Sequence, residues 1–429
     1  MANLGIDFGS SYTTVAWLNP LNGKPEAVKF NGDGSVKLPS AILVTNFGLI
    51  IGFQALNYLE DVYKLPNDVK IEILSNFIPS IKRILNPDIT ETLGEKQYTH
   101  EELLTAFFRY LLEQVNAHCG HNIHFDSVTF SYPVDFTESK KRIIRNAFIN
   151  NGLKIKDEKY EPLAAVKGYS LGHSIDDNNS ILVFDFGGGT IDVACIKKIF
   201  SELKVVCEPK GSSSCGGQDL DFLIYNDLRK KIQTQYSFDI SVDGLVDYGI
   251  LNVCRRLKEY FSGKNDYYET QLALVVNGQF INYKYGLSRE TFNNIIYPKI
   301  QEAVGVAKQV IADAKRLNLT IKTVLLIGGS SQLTLVKDLL CELLPESIIE
   351  TCGEKDIAVA LGNLEYQAET TTIVNKPENP ENKEQLELDK NRSMRCQRCQ
   401  SEECYKMIGK SGYHCTKCGW EGRNIIIHF

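Results

Sequence analysis

Asp185-Phe186-Gly187-Gly188-Gly189-Thr190-Ile191-Asp192 lies between two apolar runs, residues 181–184 and 193–196. It reads as a strand, a tight glycine turn and a second strand. Three consecutive glycines let the backbone approach a bulky anion and turn amide N–H groups toward it. Asp185, ending the first strand, is placed to hold a hydrated metal ion, and Thr190 adds a hydroxyl just past the turn. Glycine turns are also ordinary hairpin punctuation, so one copy alone leaves both readings open.

The chain carries the pattern twice. Asp7-Phe8-Gly9-Ser10-Ser11-Tyr12-Thr13-Thr14-Val15-Ala16 aligns with Asp185 to Ala194, sharing Asp, Phe, Gly, Val and Ala at matching places, and each copy follows an apolar strand. Two distant copies of one strand–turn–strand unit imply a duplicated fold with two anion-binding loops facing each other. A third small-residue loop, Gly328-Gly329-Ser330-Ser331, follows the apolar run 324–327.

In this order the motifs resemble the nucleotide-binding domain of the 70-kDa heat-shock chaperones, within the actin–sugar kinase–heat-shock ATPase superfamily. Residues 5–12 resemble its first phosphate motif and residues 184–192 its second. Residues 128–133 with Phe136, then Glu161-Pro162-Leu163-Ala164-Ala165, resemble its connecting segment. Gly216-Gly217-Gln218-Asp219 and Gly328-Gly329-Ser330 resemble its later glycine motifs. The resemblance covers residues 3–368. It implies an α/β, two-lobed actin-like ATPase fold with duplicated ribonuclease-H-like sheets: lobe I over 1–175, lobe II over 176–355, and a closing helix over 356–369 returning to lobe I.

The resemblance also implies a chemistry, phosphoryl transfer from MgATP to water. Amides around Gly9, Ser10, Ser11 and Tyr12, and around Gly187, Gly188 and Gly189, would cradle the phosphates of ATP or ADP. Asp7 and Asp185 would anchor Mg2+ through water, with Asp192 among the nucleotide-site residues. Lys82, Glu161, Asp185 and Thr190 would do the catalytic work around the terminal phosphate, which is mostly positioning and charge stabilisation. Gly216, Gly217, Lys258, Ser262, Gly328, Gly329, Ser330 and Asp356 would complete the nucleotide site. On residue type alone, Lys82-Arg83 also reads as a solvated helix face and Glu161 as a helix N-terminal acid. No Gly-x4-Gly-Lys-Ser/Thr pattern occurs, so this is not a P-loop enzyme.

Composition is that of an ordinary globular protein: 43% hydrophobic, 23% charged, net charge −6. That balance gives no global pull toward nucleic acid or anionic membrane. The N-terminus runs straight into a strand and no apolar run is long enough to span a bilayer, so a cytoplasmic protein with no membrane partner is expected. Helices are read at 53–62, 100–118, 138–150, 245–262, 289–317 and 332–344 from apolar periodicity, and strands at 181–209 and 271–285.

Residues 370–393 are polar and proline-bearing, and read as a flexible linker. Five of the twelve cysteines follow within the last 34 residues. Cys396-Gln-Arg-Cys399 and Cys415-Thr-Lys-Cys418 have fifteen residues between them, the arrangement of a four-thiolate Zn2+ site. A zinc ribbon is therefore expected over 394–429, folded by its metal. Seven Lys/Arg against three Asp/Glu over residues 391–429 leave nucleic acid open as a partner, with protein interaction ahead of it. The other seven cysteines read as small buried hydrophobes.

Three departures from the family pattern matter. Ser10 and Ser11 stand where the family has threonines. Arg255-Arg-Leu-Lys258-Glu259-Tyr-Phe-Ser262 matches the adenosine segment but carries Arg255 for its glutamate and Glu259 for its arginine, which puts base preference in question. The chain also has no room for the family's peptide-binding domain. The first expectation is a slow ATP hydrolase working as a conformational switch and carrying a ribbon. The rivals are a nucleotide-binding adaptor with little hydrolysis and a kinase of the same superfamily.

Overall fold

The computed structural model describes residues 2–364 apart from 31–33, 61, 63–64, 121–122, 178, 242, 277–278 and 353–356, and beyond them only the backbone of five short strands. It separates into two units, Met1–Gln367 and Ala368–Phe429.

The first unit is built on two six-stranded sheets of one design. In the first, Lys154–Tyr160, Phe125–Tyr132, Ala2–Phe8, Tyr12–Asn19 and Lys24–Ala27 lie side by side. In the second the order is Ile348–Thr351, Ile321–Ile327, Ser180–Phe186, Ile191–Ile199 and Glu202–Val205. Counted along the chain, both run 3-2-1-4-5 when read from the edge strand Lys24–Ala27 or Glu202–Val205. The first three strands are antiparallel and the last two add in parallel.

The registers match as well. Asp7 pairs with Thr14 and Phe8 with Thr13; Asp185 pairs with Asp192 and Phe186 with Ile191. A short sixth strand docks at the same place in each sheet, Leu38–Pro39 on Tyr12 and Thr13, Lys210–Ser212 on Ile191 to Val193. The aligned motifs are thus structurally equivalent. Ser180–Phe186 is buried at every residue, as befits a central strand covered on both faces.

Helices form where the periodicity expects them, with shifts of a few residues: Phe53–Leu59, His100–Cys119, Glu138–Ile149, Tyr248–Tyr260, Arg289–Arg316 and Thr334–Leu343. His100–Cys119 starts at a capping box, with Thr99 and Glu102 exchanging side-chain and backbone bonds. It buries Leu103, Leu104, Phe107, Phe108 and Leu111 against the first sheet. Phe108 stacks on Phe148 of the next helix at 3.9 Å between ring centres; truncating such a ring to alanine costs about 3–5 kcal/mol.

Two helices exchange sides. Glu161–Tyr169 follows the last strand of the first sheet but packs on the second, against Ile181, Val183, Ala194 and Ile196. Ala358–Asn363 follows the last strand of the second sheet but lies on the first, where Leu361 and Leu364 pack on Ala16. They cross in near backbone contact. A Cβ on Gly168 would lie 1.9 Å from the Ala358 carbonyl, and one on Gly362 1.8 Å from that of Ala164. Asn363 seals the contact by donating to the Ile6 carbonyl and the Ser131 hydroxyl at 2.8 and 2.9 Å.

Three expectations are adjusted. Within 356–369, read as the closing helix, the described helix is Ala358–Asn363, and Asp356 and residues 365–369 lie outside the described residues. Strand Lys210–Ser212 leads into the glycine motif, and helix Gly217–Tyr236 starts inside it, where the Asp219 carboxylate caps by accepting from the Gly216 N–H at 2.7 Å. Residue 393, read as linker, belongs to a strand. Lys82, open to reading as part of a solvated helix face, lies in a short helix, Ile81–Ile84, but is buried. Among the described residues no helix is long and apolar enough to cross a membrane.

The second unit is described only as strands. Ser393–Arg395 pairs antiparallel with Ile426–His428; Cys404–Lys406, Tyr413–Cys415 and Glu421–Gly422 form an antiparallel sheet. Cys396, Cys399, Cys418 and the linker residues fall outside the described residues, as does the side chain of Cys415.

Candidate functional site

The two glycine loops meet across a cleft between the sheets. A Cβ added to Gly188 would strike the Ser11 hydroxyl at 2.1 Å, and one on Gly189 the Ser10 hydroxyl at 2.3 Å. Only glycines let the loops come this close. Each loop is pinned in the same way: a serine hydroxyl donates to the first glycine's carbonyl, Ser40 to Gly9 at 2.7 Å and Ser330 to Gly187 at 3.1 Å.

Between the loops stand charged groups. The Lys82 ammonium is 2% exposed and lies 2.5 Å from Glu161 Oε1. Burial alone would lower its pKa, but Glu161, Asp7 and Asp192 more than offset that and raise it. The carboxylates are pushed the other way. Burial and the Glu161 charge raise Asp7 to about 7 and Asp192 to about 8. Burial, then Glu161, Asp192 and Asp7, raise Asp185 well above the carboxylate range. One lysine cannot balance four acidic groups if all ionise, so the acids hold protons until a cation takes their place. Among the described residues no three His, Cys, Asp or Glu side chains converge tightly enough to ligate a metal directly. The acidic end therefore fits a cation kept in its water shell.

Asp7, Gly9, Ser10, Ser11, Tyr12, Lys82, Glu161, Asp185, Gly187, Gly188, Gly189, Thr190, Lys258, Ser262, Gly328, Gly329 and Ser330 all line this cleft. Three expected residues stand behind the wall. Asp192 is fully buried and accepts from the Val134 N–H at 2.7 Å. Gly216 packs its backbone on Gly188 and Gly189, and Gly217 donates its N–H to the Gly187 carbonyl at 2.9 Å. They brace the second loop from below.

Helix Tyr248–Tyr260 supplies the far wall. Arg255, Lys258 and Glu259 line the cleft at helical spacing, with Ser262 just past its end. Buried Asp221 anchors both cations: Lys258 Nζ lies 2.7 Å from Asp221 Oδ1 and donates to the Gly217 carbonyl, and Arg255 Nε lies 3.5 Å from Asp221 Oδ2.

The Hsp70 protein family model matches residues 3–369, most of the chain. The chain belongs to the Hsp70 family. Among curated Hsp70 relatives, the chaperone protein DnaK of Ureaplasma parvum serovar 3 is 28% identical over 342 residues, which is 79% of this chain and 54% of that protein. The chaperone protein DnaK of Metamycoplasma hominis is 28% identical over 341 residues, with the same coverage. That of Thermotoga maritima is 24% identical over 364 residues, 84% and 58%. The chain spans about half the length of the curated relatives it matches.

Within this Hsp70 cleft, Thr14, Lys37, Ile327, Leu333 and Val359 also line the site, unannounced by sequence. Ile327, next to a glycine motif, could have been found by extending that motif. The other four reach the cleft only through tertiary packing.

Proposed function

We propose that this Hsp70-family chain binds and slowly hydrolyses MgATP, and that cleft closure around the nucleotide is a conformational switch. The observation carrying the reading is the pair of equivalent glycine loops in contact, with Lys82, Glu161, Asp7, Asp185 and Thr190 lining the cleft beside them. The division into lobes at 1–175 and 176–355 belongs to the same proposal, as does a cytoplasmic setting.

In this reading, loop amides at Ser10 to Tyr12 and Gly187 to Gly189 bind the phosphate oxygens. Asp7 and Asp185 would hold Mg2+ through water, and the ion would neutralise phosphate charge. Lys82, held in place by Glu161, meets charge developing on the terminal phosphoryl group. The Thr190 hydroxyl orients the attacking water. Positioning and electrostatics carry such transfers. The expected outcome is measurable phosphate release from ATP that falls at least tenfold in Asp185→Ala and in Thr190→Ala. Unchanged release in both variants refutes the site.

A second reading is a nucleotide-binding adaptor with little hydrolysis. It is favoured by Arg255 and Glu259, two departures from the family's adenosine segment, both lining the cleft. Nucleotide binding without phosphate release in a calorimetric titration selects it.

The C-terminal unit is proposed to be a zinc ribbon held by Cys396, Cys399, Cys415 and Cys418, acting as a protein-interaction module, with nucleic acid as the lesser alternative. The support is the donor set: two Cys-x-x-Cys pairs at ribbon spacing. One zinc per chain by elemental analysis is expected, falling to none in Cys396→Ser/Cys415→Ser.

A further inference from the structure

Two cysteines that the nucleotide site does not use meet at the edge of the second sheet. Strand Ile191–Ile199 turns at Phe200 and Ser201, both at positive φ, into Glu202–Val205, and Ile196 pairs with Val205. Further along, Val193 pairs with Lys210. Residues 194–195 of the one strand therefore face residues 206–209 of the other, two against four, and the excess is a bulge. The Val206 N–H still donates to the Cys195 carbonyl at 2.9 Å. In a regular strand neighbouring side chains point to opposite faces. Here Val206 and Cys207 both pack against the core cluster that contains Cys195. The bulge has turned Cys207 onto the Cys195 face, and the two thiols hydrogen-bond to each other.

We infer that Cys195 and Cys207 are a thiol pair that small hydroperoxides convert reversibly to a disulfide. Cys195 is wholly buried and Cys207 partly exposed, so the oxidant meets Cys207 first. The Cys195 side chain, then its backbone and the Lys210 ammonium, lower the Cys207 thiol against burial and the Asp313 charge. Burial instead pushes the Cys119 and Cys215 thiols up to about 12. Cys207 is thus the nucleophile, since the thiolate is the reactive form. Its sulfur attacks one oxygen of hydrogen peroxide, the O–O bond breaks, and the departing hydroxide takes a proton from solvent. Cys207 is then a sulfenic acid. The Cys195 sulfur attacks the Cys207 sulfur; the S–S bond forms as the S–O bond breaks, and the Cys195 proton leaves with that oxygen as water. The peroxide gains the two electrons that the two sulfurs lose. The bridge closes a ring around one hairpin, and an added dithiol reopens it by exchange.

The test is a peptide map of the full chain, reduced, freed of reductant and treated with hydrogen peroxide before the remaining thiols are alkylated. Trypsin cuts after Lys197, Lys204 and Lys210, so the two cysteines fall on separate peptides unless a disulfide joins them. The expected result is a linked pair of peptides that dithiothreitol separates. The pair is lost in Cys207→Ser. In Cys195→Ala, Cys207 stops at the sulfenic acid, which dimedone captures. Free Cys207 in wild type disappears at least about fivefold faster than Cys341, whose thiol is exposed. Should Cys195→Ala, a change in the core, fail to fold, wild type and Cys207→Ser carry the test by themselves. Oxidation of Cys341 with Cys207 still a free thiol overturns the proposal, and so does a Cys207 joined to any cysteine other than Cys195. Nucleotide turnover is not read, so the outcome stands apart from that of the MgATP reading.

Discussion

At the residue scale, the buried acids dictate a pH response. Asp7 and Asp192 have folded-state pKa values raised to about 7 and about 8. In the folded, metal-free protein they hold protons that the unfolded chain has released, so stability falls as pH rises from about 4 toward 8. The melting temperature in chelator is expected to drop across this window. Asp192→Asn keeps an oxygen for the Val134 N–H and cannot ionise, so its profile flattens; an undiminished slope would show that Asp192 stays charged throughout. Asp7, Asp185, Thr190 and the glycines were legible because a strand, an acid and a glycine turn recur in sequence. The inward turn of Asp192 was not, because alternation along one strand does not say which face a neighbouring half will cover. Thr14 and Lys37 were hidden for the same reason, since their cleft exists only once two sheets meet.

At the scale of elements, the helix crossing makes a sharper demand than helix propensity. Gly168→Ala and Gly362→Ala each drive a methyl into a carbonyl oxygen, so each is expected to lower stability by roughly 1–3 kcal/mol or more, the usual range for overpacking. Gly305 sits in helix Arg289–Arg316 with open space around its would-be Cβ. Gly305→Ala should therefore stabilise by about 0.5–1 kcal/mol. Denaturant melts of the three variants separate the cases. Helices such as His100–Cys119 and Arg289–Arg316 were readable from their apolar spacing. The return of the closing helix to the first half was expected from the family resemblance alone; apolar spacing does not reveal the exchange of sheets by Glu161–Tyr169 and Ala358–Asn363, since both are short and the small residues that let them touch carry no periodicity.

At the scale of the molecule, the halves touch in several places. Arg83 reaches from the first to Asp219 and Gln218 of the second, at 3.1 and 3.2 Å. Phe77 meets Tyr248 edge-on at 4.9 Å between ring centres. Lys70 lies 3.6 Å from buried Asp247. Neither ring lines the cleft, so Tyr248→Ala should leave the sheets intact and speed release of labelled ADP several-fold. An unchanged release rate in a chase experiment would show that this contact does not hold the cleft shut. The duplication itself was legible at this scale, because chance rarely sets the same acid, glycine turn and apolar strands in the same order at two distant places in one chain.

The helix exchange also orders events during synthesis. The first sheet has all five of its main strands once Tyr160 has been made, yet the helix over Gly5 and Ala16 begins only at Ala358. At about 5–20 residues per second, that cover arrives roughly 10–40 s later. The N-terminal half therefore leaves the ribosome with a bare apolar strip, exposed until residues 358–363 follow it out.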